Sequence, residues 1–516
     1  MLEIRFQLIY GENMIAKTYS IIPFGYSGAI IEIEGSEVRG LPNFNIVGMA
    51  SKTVCEARER VKSAIRSSGF IFPDQKLTIN LAPADLEKNS TGLDLSIAVN
   101  ILVLSSQILP MDVEKTALVG ELSLDGELRP VRGIVSIAET AKKAGFKRLV
   151  LPTKNYPQAT LASGIELIPV STLMELFLFL KHQQKIPSVN FVVKNTGTGV
   201  EAKEPNFVQG QDLAKRALQI AVAGRHNIIL SGPPGTGKTA LARSSVDLLP
   251  PLTKAEQISV TKIYSLTGLN TDIILERPFR SPHHTCTAVS LIGGGAKAQP
   301  GEISLAHLGV LFLDELLEYP RALLESLRQP LEDHQISISR AGRKVTYPAN
   351  FMLIATLNPC PCGYLGDPAH PCSCSESQIC NYRKKLSGPL LDRIDLFTEV
   401  GRIDPSEIIT REAQGKESAA IGIARQNISD AISAQHQRFK TPGIYNASLS
   451  PSQIAKFVQI QPKAKAMLDS AARSLNLSAR SYLKVVRVAQ TIADLDGSTE
   501  VKSPHISEAL AFRQKF

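Results

Sequence analysis

Ser231-Gly232-Pro233-Pro234-Gly235-Thr236-Gly237-Lys238-Thr239 is the stretch that decides how this chain is read. It fits the phosphate-loop pattern G-x-x-x-x-G-K-[ST] at every fixed position. Asn227-Ile228-Ile229-Leu230 before it reads as a buried strand, and Thr239-Ala240-Leu241-Ala242-Arg243 after it as a helix start. That strand–loop–helix setting gives the motif its meaning. The glycines let backbone N–H groups turn inward around phosphate oxygens, and the helix N-terminus adds a favourable dipole. Lys238 is expected to reach the β- and γ-phosphates of a bound ATP and Thr239 to hold Mg²⁺, with Gly232 to Ala240 forming the cradle. Gly210-Gln211, near the start of the same domain, is expected to lie against the adenine.

The rest of the chain is sized for two or three domains. It has 516 residues, 43% hydrophobic and 20% charged, which is a globular composition. The net charge of +9 weakly favours an anionic partner such as nucleic acid. No segment is apolar for long enough to span a bilayer. Glu3 and Arg5 interrupt any signal-peptide layout, so the cytoplasm is the expected compartment, where the seven cysteines are not expected to form structural disulfides.

Between about Tyr19 and Leu180, short apolar runs (Ala29–Ile33, Lys76–Leu81, Arg148–Leu151, Ile165–Val170) alternate with helical patterns at Lys52–Ser67 and Leu93–Ile108. A polar stretch containing Asn195-Thr196-Gly197-Thr198-Gly199 reads as a linker. The expected division is therefore a domain over 1–180, a linker over 181–205, a P-loop domain over 206–403 and a helical lid over 404–516. In that lid, Ser429–Arg438, Pro451–Phe457, Pro462–Ser474 and Ala479–Leu495 show helical periodicity.

Downstream of the P-loop, Val310-Leu311-Phe312-Leu313 ends in Asp314-Glu315. A buried parallel strand has this composition, and its C-terminal end points at the nucleotide. Asp314 is expected to hold Mg²⁺ and Glu315 to polarise the attacking water. A further strand, Phe351 to Thr356, ends near Asn358, followed by Leu390-Leu391-Asp392-Arg393-Ile394-Asp395 and, in the lid, Ser478-Ala479-Arg480. Together these parts resemble an AAA+ ATPase. The resemblance implies that Asn358 senses the γ-phosphate and that Arg393 is an arginine finger offered in trans to a neighbour's nucleotide. It also implies that Arg480, or else Arg487 two turns on, reaches back to the phosphates as a second sensor. Arg393 could equally be a surface residue paired with Asp392 or Asp395, and Asn358 a turn residue before Pro359.

Arg277-Pro278-Phe279-Arg280-Ser281-Pro282-His283-His284-Thr285, Gly293-Gly294-Gly295 and Pro300 to His307 narrow the branch. They closely resemble the magnesium-chelatase-like AAA+ proteins of bacteria, the YifB/ComM family, and the resemblance covers nearly the whole chain. It implies a hexameric ATP-driven ring acting on single-stranded or branched DNA, as in branch migration during natural transformation. It implies translation from Met14, and that His283 and His284 face a central pore rather than a metal. A chelatase-like or protein-remodelling motor without a DNA substrate is the alternative.

Gln335–Pro348 reads as a β-hairpin with Arg340, Arg343 and Lys344 around its tip. It resembles the pre-sensor hairpin of helicases such as the MCM proteins, and tips of this kind in a ring would line a basic pore that tracks a phosphate backbone. An aromatic tip would suit a polypeptide instead, but the nearest aromatic, Tyr347, sits at the strand end. Four of the cysteines cluster as Cys360-Pro361-Cys362 and Cys372-Ser373-Cys374, with Cys380 following. Paired C-x-C elements suit structural Zn²⁺ held by thiolates.

Gly120 to Gly133 resembles the Lon-type peptidase fold, and Ser90 falls where that family carries its nucleophile. The dyad lysine would fall at Val135, and Lys142 and Lys143 lie too far along to replace it. The expected architecture is thus multidomain α/β: a Lon-protease-like α+β domain without peptidase activity, an AAA+ P-loop domain with a parallel sheet, and a C-terminal helical lid.

Overall fold

Strict alternation builds the first sheet. In the strand Lys76–Ala82, Leu77, Ile79 and Leu81 are wholly buried while the residues between them face outward, the period of two that places one apolar face on a core. Burial of each such side chain contributes about 1.5–3 kcal/mol. The computed structural model describes residues 14–49, 51–88, 90–186, 211–268, 272–295, 298–340, 343–402, 416–441 and 443–513.

Nine strands lie in the N-terminal part: β1 (Met14–Phe24), β2 (Ser27–Val38), β3 (Asn43–Val47), β4 (Lys76–Ala82), β5 (Thr116–Leu118), β6 (Glu121–Leu122), β7 (Leu128–Arg129), β8 (Arg148–Pro152) and β9 (Glu166–Val170). Seven of them form a mixed sheet in the order β3-β4-β2-β1-β5-β8-β9. The hairpin β1–β2 and the pair β2–β4 are antiparallel, and the remaining pairs are parallel. The helix Lys52–Ser67 has the expected bounds. The second helix runs over Asp94–Leu104, shorter than the expected 93–108. Every one of its residues is buried, as an all-round apolar helix must be.

The following part carries β10 (Ile228–Ser231), β11 (Phe279–Arg280), β12 (Gly293–Gly294), β13 (Gln299–Pro300), β14 (Val310–Leu313), β15 (Gln335–Arg340), β16 (Arg343–Pro348), β17 (Met352–Leu357) and β18 (Leu396–Glu399). Five form an all-parallel sheet in the order β11-β14-β17-β10-β18. The expected strand at Asn227 starts one residue later, and the Asn227 side chain ties three segments together. Its Oδ1 accepts from Leu353 N at 2.8 Å and its Nδ2 donates to Arg393 O at 2.8 Å.

The C-terminal region is helical: Lys416–Phe439, Pro451–Phe457, Pro462–Ser474, Ala479–Leu495 and Ser503–Ala511. The first of these is far longer than the expected 429–438. Its neighbours match the expected spans, and Ser450 and Ser478 cap two of them through their hydroxyls. Ion pairs fasten this region to the P-loop part. Arg216, on the helix Asp212–Gly224, meets Glu508 at 2.8 Å and Asp496 at 3.1 Å. Buried His226 bridges Asp395 at 3.0 Å and Thr491 at 2.8 Å. Among the described residues no helix is long and apolar enough to cross a membrane. Most of the expected linker, and residues 1–13, lie outside the described residues.

The N-terminal and P-loop parts touch through specific chemistry. Lys262 pairs with Glu139 at 2.5 Å and lies 4.1 Å from the Tyr26 ring centroid. The Gly133 N–H donates to Ser265 O at 2.8 Å. The β15–β16 hairpin rests its base on the same boundary, where Val345 and Tyr347 pack with Leu266, Phe24 and Tyr26. Gly25 has φ +57°, and a side chain there would overlap Val345.

Candidate nucleotide site and cysteine cluster

All five parallel strands deliver their C-terminal ends to one edge, and the P-loop leaves β10 there. Gly235 and Gly237 adopt φ of +77° and +79°, the left-handed region that only glycine enters at no cost. Gly232 lies flush against the backbone at Val400, where an added Cβ would overlap the Val400 carbonyl. The loop's Thr236 bonds back to Pro233 O at 3.0 Å, and the helix Lys238–Leu248 opens directly from Gly237.

Lys238 is buried, and its Nζ donates to Gly232 O at 2.6 Å, Pro233 O at 2.8 Å and Asn358 Oδ1 at 3.3 Å. Burial pulls its amine down from the usual lysine range to about 8, against the opposing pull of the Asp314 and Glu315 charges. Thr239 Oγ1 lies 3.1 Å from Asp314 Oδ2, so the hydroxyl and carboxylate are placed to share one hard cation. Asp314 Oδ1 accepts from Thr356 Oγ1 at 2.5 Å, and that same hydroxyl accepts from Glu315 N at 2.9 Å. Thr356 is wholly buried on β17 and was not anticipated from the sequence. Its only sequence signal is a hydroxyl in an otherwise apolar strand. Glu315 is exposed and holds φ at +50°, a conformation costing about 1–3 kcal/mol that its hydrogen-bonded N–H helps maintain. Gln211 Nε2 donates to Thr236 O at 2.7 Å and Gly401 O at 3.1 Å, beside the loop. Gly210 lies outside the described residues.

Arg393 and Arg480 are elsewhere. They line a cavity of about 610 Å³ together with Arg225, Lys484 and Arg487, at the end of the sheet where β17 and β18 begin. Arg393 pairs with Glu332 and donates to Pro389 O at 2.8 Å, so neither Asp392 nor Asp395 is its partner. Arg480 is 64% exposed and 3.7 Å from Asp392. Arg480 therefore lies away from its own chain's P-loop, and Arg487 lies at the same end. The cause is the docking of the helix Ala479–Leu495. Lys484 donates to Leu391 O at 3.1 Å and Ile394 O at 2.8 Å, which fixes the helix start beside the segment entering β18.

The β15–β16 register pairs Arg340 with Arg343 across the turn. The side chains of both arginines lie outside the described residues, and Lys344 is exposed. Tyr347 is buried and donates to Ala298 O at 2.7 Å, so it offers no aromatic surface. The His283 and His284 rings meet at a tilt of 35° with centroids 4.1 Å apart, and His283 Nδ1 is occupied by Thr285. Ser90 Oγ accepts from Gly92 N at 3.2 Å, Val135 is wholly buried, and Lys142 lies beside Gly164.

The metal-compatible group among the described residues is Cys360, Cys362, Cys372 and Cys374, whose sulfurs all lie within 4.8 Å of one another. Three of the separations are 3.3, 3.6 and 3.6 Å. Tetrahedral thiolate ligation at ~2.3 Å spaces sulfurs by about 3.8 Å, so these thiols fit one soft metal ion. None of the described cysteines forms a disulfide, and the exposed Cys380 stands apart from the four.

Comparison with known proteins matches the geometry. Residues 205–408 match the family model "Magnesium chelatase, subunit ChlI", residues 32–155 match "Subunit ChlI of Mg-chelatase", and residues 415–513 match "Magnesium chelatase, subunit ChlI C-terminal". Competence protein ComM of Haemophilus influenzae is 39% identical over 505 residues, covering 97% of each chain. The chain belongs to the ComM/YifB family. YifB of Escherichia coli is 39% identical over 496 residues, 95% of each chain. The magnesium-chelatase 67 kDa subunit of Heliobacterium mobile is 28% identical over 225 residues, which is 37% of this chain and 33% of that protein. This chain has the architecture of a chelatase-like AAA+ ATPase, with a parallel-sheet P-loop domain followed by a helical region.

Proposed function

We propose that this chain is an ATP-hydrolysing ring motor of the cytoplasm, built as a hexamer, that acts on single-stranded or branched DNA and drives helicase or branch-migration steps in recombination of incoming DNA. The observation that carries the reading is the convergence of Lys238, Thr239, Asp314 and Asn358 through contacts of 3.1 and 3.3 Å. Lys238 would exchange its carbonyl partners for phosphate oxygens, with Gly232 to Ala240 cradling them and Gly210-Gln211 flanking the base. Thr239 and Asp314 would hold Mg²⁺, which neutralises charge developing on the phosphates. Glu315 would orient water in line with the γ-phosphate, and Asn358 would register that phosphate. Arg393 and Arg480 lie at the opposite end of the sheet, where a neighbouring copy's nucleotide would meet them, so both would act in trans. Zn²⁺ is the ion proposed for Cys360, Cys362, Cys372 and Cys374.

The domain bounds given above are part of this proposal, as is a Lon-like, peptidase-inactive N-terminal domain. Ser90 Oγ already serves as a helix-capping acceptor and Val135 stands where a base would be needed. A competence role is supported by the ComM relative, and a DNA substrate by the basic hairpin tip of Arg340, Arg343 and Lys344, with buried Tyr347 giving no aromatic grip on a polypeptide. The chelatase match favours the second reading, a remodelling motor with no DNA substrate.

The test is ATP turnover with single-stranded, duplex and four-way-junction DNA, with Lys238→Ala as blank. Stimulation that is lost when Arg340, Arg343 and Lys344 are neutralised supports the DNA motor. Turnover indifferent to every DNA refutes it in favour of the second reading.

A further inference from the structure

The segment between β17 and the helix Glu376–Arg383 is long and without regular secondary structure. Ordering it costs about 1–2 kcal/mol per residue, and loops of this size in compact domains generally serve a function. Two things hold it in place. One is the cysteine cluster, with Cys360 wholly buried. The N–H groups of Cys362 and Cys374 point at the sulfurs of Cys374 and Cys372, each at 3.4 Å. The other is the nucleotide cradle, which the loop meets directly at two points and at a third through residues 400–402.

The first contact is Asn358, two residues before Cys360, which receives the Lys238 amine. The second is Gly363, next to Cys362. It has φ +85° and lies so close to Pro234 that an added Cβ would sit 2.9 Å from the proline Cδ. Gly363 N also donates to Cys360 O at 3.0 Å, which ties this contact to the cluster. The third is Asp367, a side chain with no exposed surface, which pairs with Arg402 at 2.9 Å. Arg402 adjoins Gly401, whose carbonyl accepts from Gln211 while the same Gln211 amide holds Thr236 O. Val400, just before, donates to Ser231 O at 2.7 Å and backs Gly232. The cluster is therefore braced onto the P-loop at Pro234, at Lys238 and, through residues 400–402, at Gly232 and Thr236.

We infer that the four-cysteine cluster is a regulatory metal site whose occupancy sets the nucleotide affinity of the P-loop. This rests on the reading of Gly232 to Ala240 as the phosphate cradle. A thiophilic divalent ion such as Zn²⁺ ligates the four sulfurs, and each thiol that binds releases its proton to solvent. With the ion in place, the loop holds Asn358 and Gly363 against Lys238 and Pro234. Without it, the cradle must be ordered when nucleotide binds, and that cost appears as weaker affinity. Linkage requires the converse as well, so bound nucleotide must tighten the metal.

The experiment uses the full chain, with metal content measured by mass spectrometry and affinity for a fluorescent ADP analogue measured before and after chelation. Zinc release to a chromophoric chelator is timed with and without ADP. The inference expects one metal per chain, ADP affinity falling about 5- to 150-fold on its removal, and ADP slowing release by a comparable factor. The variant pair Cys372→Ser with Cys374→Ser is expected to lose the metal and show the weakened affinity. Asp367→Asn keeps all four ligands, and is expected to bind the metal while losing much of the coupling. Circular dichroism melts establish that each variant is folded.

Metal-free chain that binds ADP as tightly as the metal-loaded chain overturns the coupling and leaves the P-loop reading intact. A chain that takes up no zinc in titration overturns the metal site. A metal-loaded chain that binds no ADP, indistinguishable from Lys238→Ala, overturns the cradle reading itself.

Discussion

Thr356→Val is the substitution that best separates positioning from mere presence of the catalytic groups. Valine matches threonine in shape, so the β17 core is kept, but the hydroxyl that joins Asp314 to the Glu315 N–H is gone. Two contacts disappear, the donation to Asp314 Oδ1 at 2.5 Å and the acceptance from Glu315 N at 2.9 Å. A hydrogen bond to a charged group is worth about 1.5–3 kcal/mol, and the Glu315 N–H loses its partner as well. Glu315, already in the left-handed region, loses the bond that holds it there. Even if only the first term reaches the transition state, turnover at saturating ATP falls roughly 10- to 150-fold. ADP affinity changes little, because Lys238 and the P-loop glycines do not touch Thr356. Steady-state ATPase assays paired with ADP binding read the two quantities separately, and Thr356→Ser should restore most of the turnover. Wild-type turnover in Thr356→Val, with Lys238→Ala inactive, would refute the claim that this hydroxyl positions Asp314 and Glu315.

Three further outcomes are expected. The Lys238 amine sits at about 8 in the free chain, and phosphate charge raises it on binding. Affinity for ADP is then full below pH 8 and declines as pH rises past it, approaching about tenfold per pH unit; flat affinity up to pH 9 in a calorimetric series contradicts this. Gly232→Ala places a methyl into the Val400 carbonyl, so ADP binding should fall by at least about tenfold, equivalent to ~1.4 kcal/mol, while filter-based binding equal to wild type would exclude the clash. Glu139→Ala strands buried Lys262 at the boundary of the N-terminal and P-loop parts and should destabilise that contact by about 1–3 kcal/mol. Limited proteolysis would show it as faster cleavage between the two parts, and an unchanged cleavage pattern and melting curve would count against it.

Most of the candidate site was legible along the chain because it is local. The P-loop is a contiguous nine-residue pattern, and the glycines that require positive φ stand where the sequence shows them. Val310–Leu313 with Asp314-Glu315, the hairpin 335–348 and three of the C-terminal helices are likewise short-range patterns of apolar period and capping residues. The C-x-C pairs showed a cluster, since two elements of fixed spacing on one loop meet easily.

Contacts between segments distant in sequence were not legible. The role of Thr356 was not legible from its hydroxyl alone, because its partners, Asp314 and Glu315, follow a neighbouring strand and meet it only through parallel pairing. The end of the sheet at which Arg480 lies was not legible either, because sequence carries no information on how the helix Ala479–Leu495 docks. Lys484 binding the carbonyls of Leu391 and Ile394 places that helix start at the other end of the sheet. The partner of Arg393, Glu332, was equally out of reach. The sequence by itself determined which groups this protein has for phosphate, metal and thiolate chemistry, because those patterns arise from neighbours along the backbone. Only the tertiary structure decided which groups share an end of the sheet and that the cysteine loop rests on the P-loop, because those juxtapositions follow from strand order and helix docking.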